Sequence, residues 1–256
     1  MKEHISYSEL RIWAECPFKH KIIYIDNKKG FQGNEYTAFG TTIHTLCENA
    51  VQGLLQESEY DDFFDESFDG ELAQLDEVRQ DLVEQMRDQA KIISPQILPE
   101  LQKMFEEYEV FSVEEKLFEK INDFSLDKFT FKGYIDLVIK TSDGKYHIID
   151  WKTCSWGWDR DKRNSKLVTY QLTLYKKFFC QKHNIDPKLV ETHFALLKRT
   201  AKKDNVEIFR VTSGPRKTSN ATDLLRKALK SIENKMFIKN RLSCKGCEFR
   251  NTELCP

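Results

Sequence analysis

Apolar and polar positions change period twice along this chain, dividing it into a helical first part, a strand-rich middle and a helical end. Ser6-Tyr7-Ser8-Glu9 has the form of a capping box, and apolar residues at helical spacing run on to about Tyr24. A loop containing Lys28, Lys29, Gly30 and Gly33 follows, then a second helix from Ala38 to Leu55. An acidic, largely helical stretch occupies roughly 57–108. From Phe111 the period shortens to two. Val113–Ile121, Phe129–Ile139 and Lys145–Trp151 read as strands, the last two joined by a turn at Ser142-Asp143-Gly144. Helical spacing returns from Asn164 to Gln181. Glu191–Lys198 and Val206–Val211 read as two more strands around a charged Thr200–Asn205 turn, and Thr222–Lys239 as a last helix. No repeat or low-complexity tract interrupts this order. The expectation is a single domain with a helical part over 1–110, a mixed α/β core over 111–215, and a helix with a cysteine-rich tail over 216–256.

Composition narrows the class. With 256 residues, 40% hydrophobic and 32% charged, the chain suits a globular enzyme, and a formal charge of −1 excludes a globally basic nucleic-acid binder. The charge is segregated, however. Thirteen Asp and Glu lie between Glu57 and Asp88 against Arg79 and Arg87, and fourteen Lys and Arg lie between Lys198 and Lys245 against four acidic residues. The basic half suits a phosphate-facing surface. Met1-Lys2-Glu3-His4-Ile5-Ser6 lacks the apolar run of a targeting signal, and no stretch reaches the ~20 apolar residues that span a bilayer. The expectation is a cytoplasmic protein without membrane contact, whose seven cysteines are metal ligands or free thiols.

The candidate chemistry lies on the paired strands. Asp136 sits in the strand Phe131-Lys132-Gly133-Tyr134-Ile135-Asp136, and Asp150 and Lys152 end the next, in Ile148-Ile149-Asp150-Trp151-Lys152. Alternation puts Asp150 and Lys152 on one face, and the short turn brings Asp136 to Asp150. Two carboxylates are hard oxygen ligands suited to Mg²⁺ or Mn²⁺, an ion that polarises a phosphodiester, while Lys152 orients water, deprotonates it as the free amine, or as the ammonium stabilises charge on the phosphate. Aspartate-x-lysine alone describes many surface ion pairs. Its company strengthens it: Gln171 and Tyr175 share a helical face, and His44 opens the second helix with Glu48 one turn on.

Gly133-Tyr134-Ile135-Asp136, Asp150-Trp151-Lys152, Gln171-Leu172-Thr173-Leu174-Tyr175 and the upstream Gly40-Thr41-Thr42-Ile43-His44 resemble, in order, the RecB-like branch of the PD-(D/E)XK nuclease superfamily. The resemblance implies a restriction-endonuclease-like mixed sheet flanked by helices. It also implies that His44, Asp136, Asp150 and the Trp151 carbonyl hold the metal, that Lys152 is the catalytic lysine, and that Gln171 and Tyr175 position substrate. A glutamate on the first core strand is usual in this branch. Glu114 and Glu115 both fit, and Glu115 is preferred.

Cys244-Lys245-Gly246-Cys247 and Cys255 form a C-x₂-C-x₇-C tail, with Cys16 far upstream in Ala14-Glu15-Cys16-Pro17. Spacing alone admits zinc or an iron–sulfur cluster. One early and three late cysteines resemble the iron–sulfur members of this branch, the AddB-type and CRISPR-associated adaptation exonucleases. That resemblance implies a [4Fe–4S] cluster on Cys16, Cys244, Cys247 and Cys255 that staples the chain ends, with zinc as the alternative. Cys47, Cys154 and Cys180 read as core thiols.

The loop after Lys152 carries Trp156 and Trp158 beside Arg160, Lys162 and Arg163, and Arg199, Lys202 and Lys203 extend the cationic track, a combination that stacks bases and grips phosphates. The functional expectation is hydrolysis of DNA, on single strands or from ends, alone or with a recombination, repair or CRISPR-adaptation partner. A compact version suits a phage genome. No P-loop is present, so no ATP motor is expected. The competing classes are a non-catalytic DNA-binding scaffold and an RNA-directed nuclease.

Overall fold

The computed structural model describes residues 3–28, 30–122 and 128–256, so Lys29 of the predicted loop lies outside the described residues. The segments with period two assemble into one mixed six-stranded sheet. Its strands are β1 (His4–Ser6), β2 (Tyr108–Lys120), β3 (Thr130–Thr141), β4 (Tyr146–Cys154), β5 (Val190–Lys198) and β6 (Val206–Val211). The helices are α1 (Tyr7–Glu15), α2 (Pro17–His20), α3 (Glu35–Val51), α4 (Tyr60–Leu72), α5 (Gln80–Ile93), α6 (Ile97–Phe105), α7 (Arg160–Asn164), α8 (Lys166–His183) and α9 (Pro215–Glu233).

Five strands match the expected segments within a few residues. The sixth, β1, is a three-residue strand with no periodic signal. The first helix is shorter than its pattern. Ser6 caps it through the Glu9 amide, but at Cys16 the chain is extended (φ −160°, ψ 109°), and Pro17 starts a new short helix. A residue before proline is pushed out of the helical region, which explains the break. α3 begins earlier than its apolar pattern because Asn34 and Thr37 form a reciprocal capping box. α9 likewise begins earlier than expected, on Pro215 in its first turn, and it ends before Lys235, whose φ is +54°.

The sheet has an apolar layer on each face. On one, α1, α8 and α9 cover Ile5, Leu117, Phe131, Ile135, Ile148 and Phe194, with Phe131 stacked on Phe178 at 4.4 Å. On the other, α3 to α6 cover Leu137, Ile139, Ile149, Trp151, Ala195 and Leu197. The acidic stretch belongs to this second layer. It buries Phe64 and Phe68 against Phe39, while Arg87 ties Asp65 to Asp69 at the surface. No described helix is long and apolar enough to cross a membrane.

Two irregularities open the sheet at one place. β2 pairs along β3 from Thr130 to Thr141, so the other edge of β3 is shared: β1 takes Thr130–Lys132 in parallel and β4 takes Leu137–Lys140 in antiparallel. Between them, residues 133–136 of that edge have no strand neighbour among the described residues. The pleat is also interrupted there. Ile135 lies in the first layer and Leu137 in the second, although strict alternation would place both on one face. On β2, Val113 pairs with Leu137 and Glu115 with Ile135, so Glu114 falls opposite Asp136, and Glu114 has a φ of +48°. A non-glycine residue in the left-handed region inside a strand costs roughly 1–3 kcal/mol and marks functional sites more often than ordinary strand.

Candidate active site

Asp136 and Asp150 flank the point where β3 and β4 part, one residue beyond the last ladder pair, Leu137 with Ile149. The Trp151 amide, beyond the end of the β3–β4 ladder, donates to Asp136 Oδ2 at 2.7 Å. His44, on the side of α3 that faces this opening, places Nδ1 3.9 Å from the same oxygen. Asp150 is fully buried. Its Oδ1 accepts from Gln171 Nε2 at 2.9 Å, and the Lys152 ammonium forms a close ion pair with its Oδ2. Gln171 also donates to the Tyr175 hydroxyl at 3.2 Å, so α8 holds Asp150 through Gln171, which Tyr175 one turn on orients. His44, Asp136, Asp150, Trp151, Lys152, Gln171 and Tyr175 thus converge, drawn from α3, β3, β4 and α8.

Glu115 does not join them. It lies on the other side of β2, where its carboxylate meets Lys182 Nζ at 2.6 Å and His183 Nε2 at 2.8 Å. The glutamate that reaches the cluster is Glu114, because the left-handed residue reverses the alternation of β2 at that point. Glu114 hydrogen-bonds Glu48 of α3, and sequence reasoning gave Glu48 no role. Its position four residues after His44 was the available signal, since that spacing puts both on one helical face.

The electrostatics suit a cation. Burial raises the Asp136 and Asp150 carboxyls to about 6, against the pull of the Lys152 ammonium. Burial and the neighbouring Glu114 raise Glu48 to about 8, so these two carboxyls share a proton near neutrality. Burial lowers His44 to about 4, with Lys152 adding to the effect, which keeps its imidazole neutral and able to ligate. Lys152 itself is raised: burial opposes its charge, but Asp150 and Asp136 outweigh it. Asp150 Oδ2 is buried, and the partner it meets among the described residues is the Lys152 ammonium. A set of carboxylates crowded around a neutral imidazole is a donor set that fits a divalent ion.

These raised carboxyls yield a prediction for the metal-free protein. A raised folded-state pKa contributes stability below the unfolded carboxyl value, and that stability is lost as pH rises through about 6. Asp136→Asn cannot ionise and keeps the Trp151 bond, so it should retain that stability. At pH 7.5 without metal its unfolding midpoint should exceed that of the wild type by on the order of 5 °C. The reason is that ionising a carboxyl held near 6 costs the folded wild type roughly 3 kcal/mol relative to an ordinary aspartate. At pH 2.8, below the ordinary aspartate value, the two should nearly coincide. Thermal unfolding at both pH values checks this, and Mg²⁺ should stabilise only the wild type.

Gly133 lines the unpaired edge. A Cβ there would meet Tyr175 Cε1 at 2.8 Å, and the Tyr175 ring is itself buried against Phe131. Gly133→Ala should therefore displace Tyr175, cost about 1–3 kcal/mol in overpacking, and slow turnover by loosening Gln171 on Asp150. Chemical unfolding and a cleavage assay on the same preparation measure both effects.

The tryptophan loop divides. Trp158 is buried against Phe194 and Phe209, whereas Trp156 is 77% exposed. Trp156 lines a surface depression with Tyr36, Ser155, Lys162 and Arg199, whose guanidinium stacks over the Tyr36 ring at 4.7 Å. Arg163 is engaged by Glu207 at 2.7 Å. At the far end of the chain Cys16, Cys244, Cys247 and Cys255 line one cavity of about 350 Å³. Cys47 and Cys180 are buried thiols, and Cys154 is half-buried.

With this geometry in place, similarity to known proteins fixes the class. Residues 4–256 match the PD-(D/E)XK nuclease superfamily, and the chain belongs to it. Its members are metal-dependent nuclease phosphodiesterases. No curated protein is similar enough to match. Among solved structures, a "putative exonuclease" from Eubacterium rectale is similar with 15% identity and a TM-score of 0.61, covering 99% of this chain and 90% of that one. A structure described as SSO0001 is similar with 14% identity and a TM-score of 0.45, covering 97% and 84%.

Proposed function

We propose that this chain is a DNA exonuclease of the RecB-like branch, acting on single strands or ends. The observation that carries the reading is the convergence of Glu114, Asp136, Asp150 and Lys152 at an opening in the sheet edge. When bound there, Mg²⁺ or Mn²⁺ supplies Lewis-acid polarisation of the scissile phosphate and lowers the pKa of attacking water. Asp136, Asp150, His44 and the Trp151 carbonyl are the residues that would hold it. Lys152, kept protonated by Asp150, orients the water or meets charge developing on the phosphate. Gln171 and Tyr175 fix Asp150 and border the cleft.

The unpaired edge of β3 supports a path for a strand. A cavity of about 290 Å³ lies there between β1 and Tyr175, lined also by Lys132 and Tyr134. Exposed Trp156 and the Arg199–Tyr36 stack lie beyond Thr153, at the other end of the site, and suit bases and phosphates. A recombination, repair or CRISPR-adaptation partner fits the same reading.

The four cysteines fit a [4Fe–4S] cluster, with zinc second. Cysteines from both chain ends line one cavity, and Lys19, Lys239, Arg241, Lys245 and Arg250 around it would offset the charge of a cluster held there. The tail is fastened to the first helix without it, since Asn240 and Ser243 side chains donate to the Glu15 carbonyl at 2.8 and 2.7 Å. Iron and sulfide analysis of anaerobically purified protein decides between the two groups.

Substrate geometry tests the exonuclease reading. Linear single-stranded DNA labelled at either end should be degraded with Mg²⁺ or Mn²⁺, and a closed single-stranded circle should survive. Cleavage of the circle at an equal rate would make the protein an endonuclease, and preference for RNA would replace the substrate.

A further inference from the structure

A second group of ligating side chains lies at the other end of the same strands. His147 on β4 stands opposite Glu191 on β5 in the parallel register, and His193 follows two residues later on the same face. One ligand atom from each of the three lies within 4.8 Å of the others. His147 precedes Asp150 by three residues, or roughly 10 Å along a strand, so this group is separate from the carboxylate centre.

Both imidazoles are more than nine-tenths buried, and Nδ1 of each has no hydrogen-bond partner among the described residues. A buried polar atom without a partner costs about 1–3 kcal/mol, and two adjacent ones call for a reason. Thr141 explains the state of His147. Its hydroxyl proton goes to Asp143 Oδ1 at 2.6 Å or to the Lys145 carbonyl, so its oxygen accepts from His147 Nε2 at 3.1 Å. That bond places the imidazole proton on Nε2 and leaves a lone pair on the unpartnered Nδ1. An outer hydrogen bond of this kind orients metal-bound histidines.

The surroundings keep both rings neutral. Phe105 packs on His147 at 4.9 Å and on His193 at 5.2 Å. Burial lowers His193 to about 3, helped by His147 and Arg210, while the Ile148 backbone acts weakly in the opposite sense. His147 is lowered too, although Glu191 and Asp143 oppose burial and Lys145 and Arg210 reinforce it. Arg210 holds one oxygen of Glu191 at 3.2 Å from the solvent side.

We propose that His147, Glu191 and His193 form a structural site for a zinc-class divalent ion, pinning β4 to β5 beneath the catalytic strand ends. Two neutral imidazoles and one carboxylate suit Zn²⁺ or Co²⁺, whereas Mg²⁺ prefers all-oxygen sites. The partly open Glu191 side is the route by which the ion and a completing water enter.

The test uses full-length protein with ¹⁵N-labelled histidine, titrated with Zn²⁺ in excess Mg²⁺. The imidazole nitrogens of His147 and His193 should move together and saturate at one equivalent, while thiolate binding at the tail leaves them still. Glu191→Gln, at the rim and nearly isosteric, should weaken that event at least tenfold and leave Mg²⁺-supported cleavage unchanged. His193→Gln should abolish it. Resonances of His147 and His193 that stay fixed through several equivalents of zinc, or an event indifferent to Glu191→Gln, would overturn the proposal and leave two packed aromatic histidines. Cleavage in Mg²⁺ stands or falls separately from either result.

Discussion

Lys152→Met should lower the rate of phosphodiester cleavage by about 10³-fold while leaving divalent-metal affinity equal or higher. The ammonium pairs closely with Asp150 and helps hold both carboxyls ionised, yet it competes with a cation for the same oxygens. Removing it takes away a proton donor or charge stabiliser from the reaction without removing a ligand. Asp150→Asn should act differently. It should lose cleavage to at least the same degree and lose metal affinity as well, because an amide in place of Oδ2 presents a donor where a cation belongs. Isothermal titration with Mn²⁺ beside a single-turnover cleavage assay separates the two variants. If Lys152→Met loses metal affinity as severely as Asp150→Asn, the lysine is a structural ion-pair partner and not part of the chemistry.

The second large effect contrasts two neighbouring glutamates. Glu114→Gln should slow cleavage by about 10²-fold, since Glu114 lies opposite Asp136 and shares a proton with Glu48 at the edge of the cluster. Glu115→Gln should leave the rate within about twofold, because its carboxylate serves Lys182 and His183 on the far side of β2. Its cost falls on stability instead, at about 1 kcal/mol for a part-exposed ion pair. Burial pushes the Glu115 carboxyl up, but bonds from Lys182 and His183 bring it below its ordinary value. That contribution is therefore present above the unfolded carboxyl pKa and fades as pH falls, so the two proteins should converge in stability in acid. Equal activity losses in the two variants would mean that the reversal of β2 at Glu114 does not exist in solution.

That pair also shows where the sequence stopped being legible. Alternation along β4 sufficed to put Asp150 and Lys152 on one face, the short turn after β3 to bring Asp136 to Asp150, and the i,i+4 spacing to place Gln171 and Tyr175 together. Choosing between Glu114 and Glu115 required knowing that one residue adopts a left-handed conformation mid-strand, and glutamate carries no local signal for that. β1 was invisible for a different reason: three residues hold no period, and their place is set by parallel pairing with Thr130–Lys132, more than a hundred residues away. The break at Cys16 was readable from Pro17, but the apolar spacing running through it to Tyr24 argued for continuity. His147, Glu191 and His193 escaped notice because their grouping depends on the β4–β5 register. Charge segregation was read correctly as composition, yet it did not show that Trp158 would be core and Trp156 surface.

The central claim is that Glu114, Asp136, Asp150 and Lys152 form a metal-dependent phosphodiesterase centre. Its most direct test is cleavage of end-labelled single-stranded DNA by anaerobically purified wild-type protein and Asp150→Asn, each with Mn²⁺, with Mg²⁺ and with EDTA. The structure predicts cleavage by the wild type with either ion, none in EDTA, and none by the variant under any condition. Cleavage by Asp150→Asn at the wild-type rate, or by the wild type in EDTA, would contradict it.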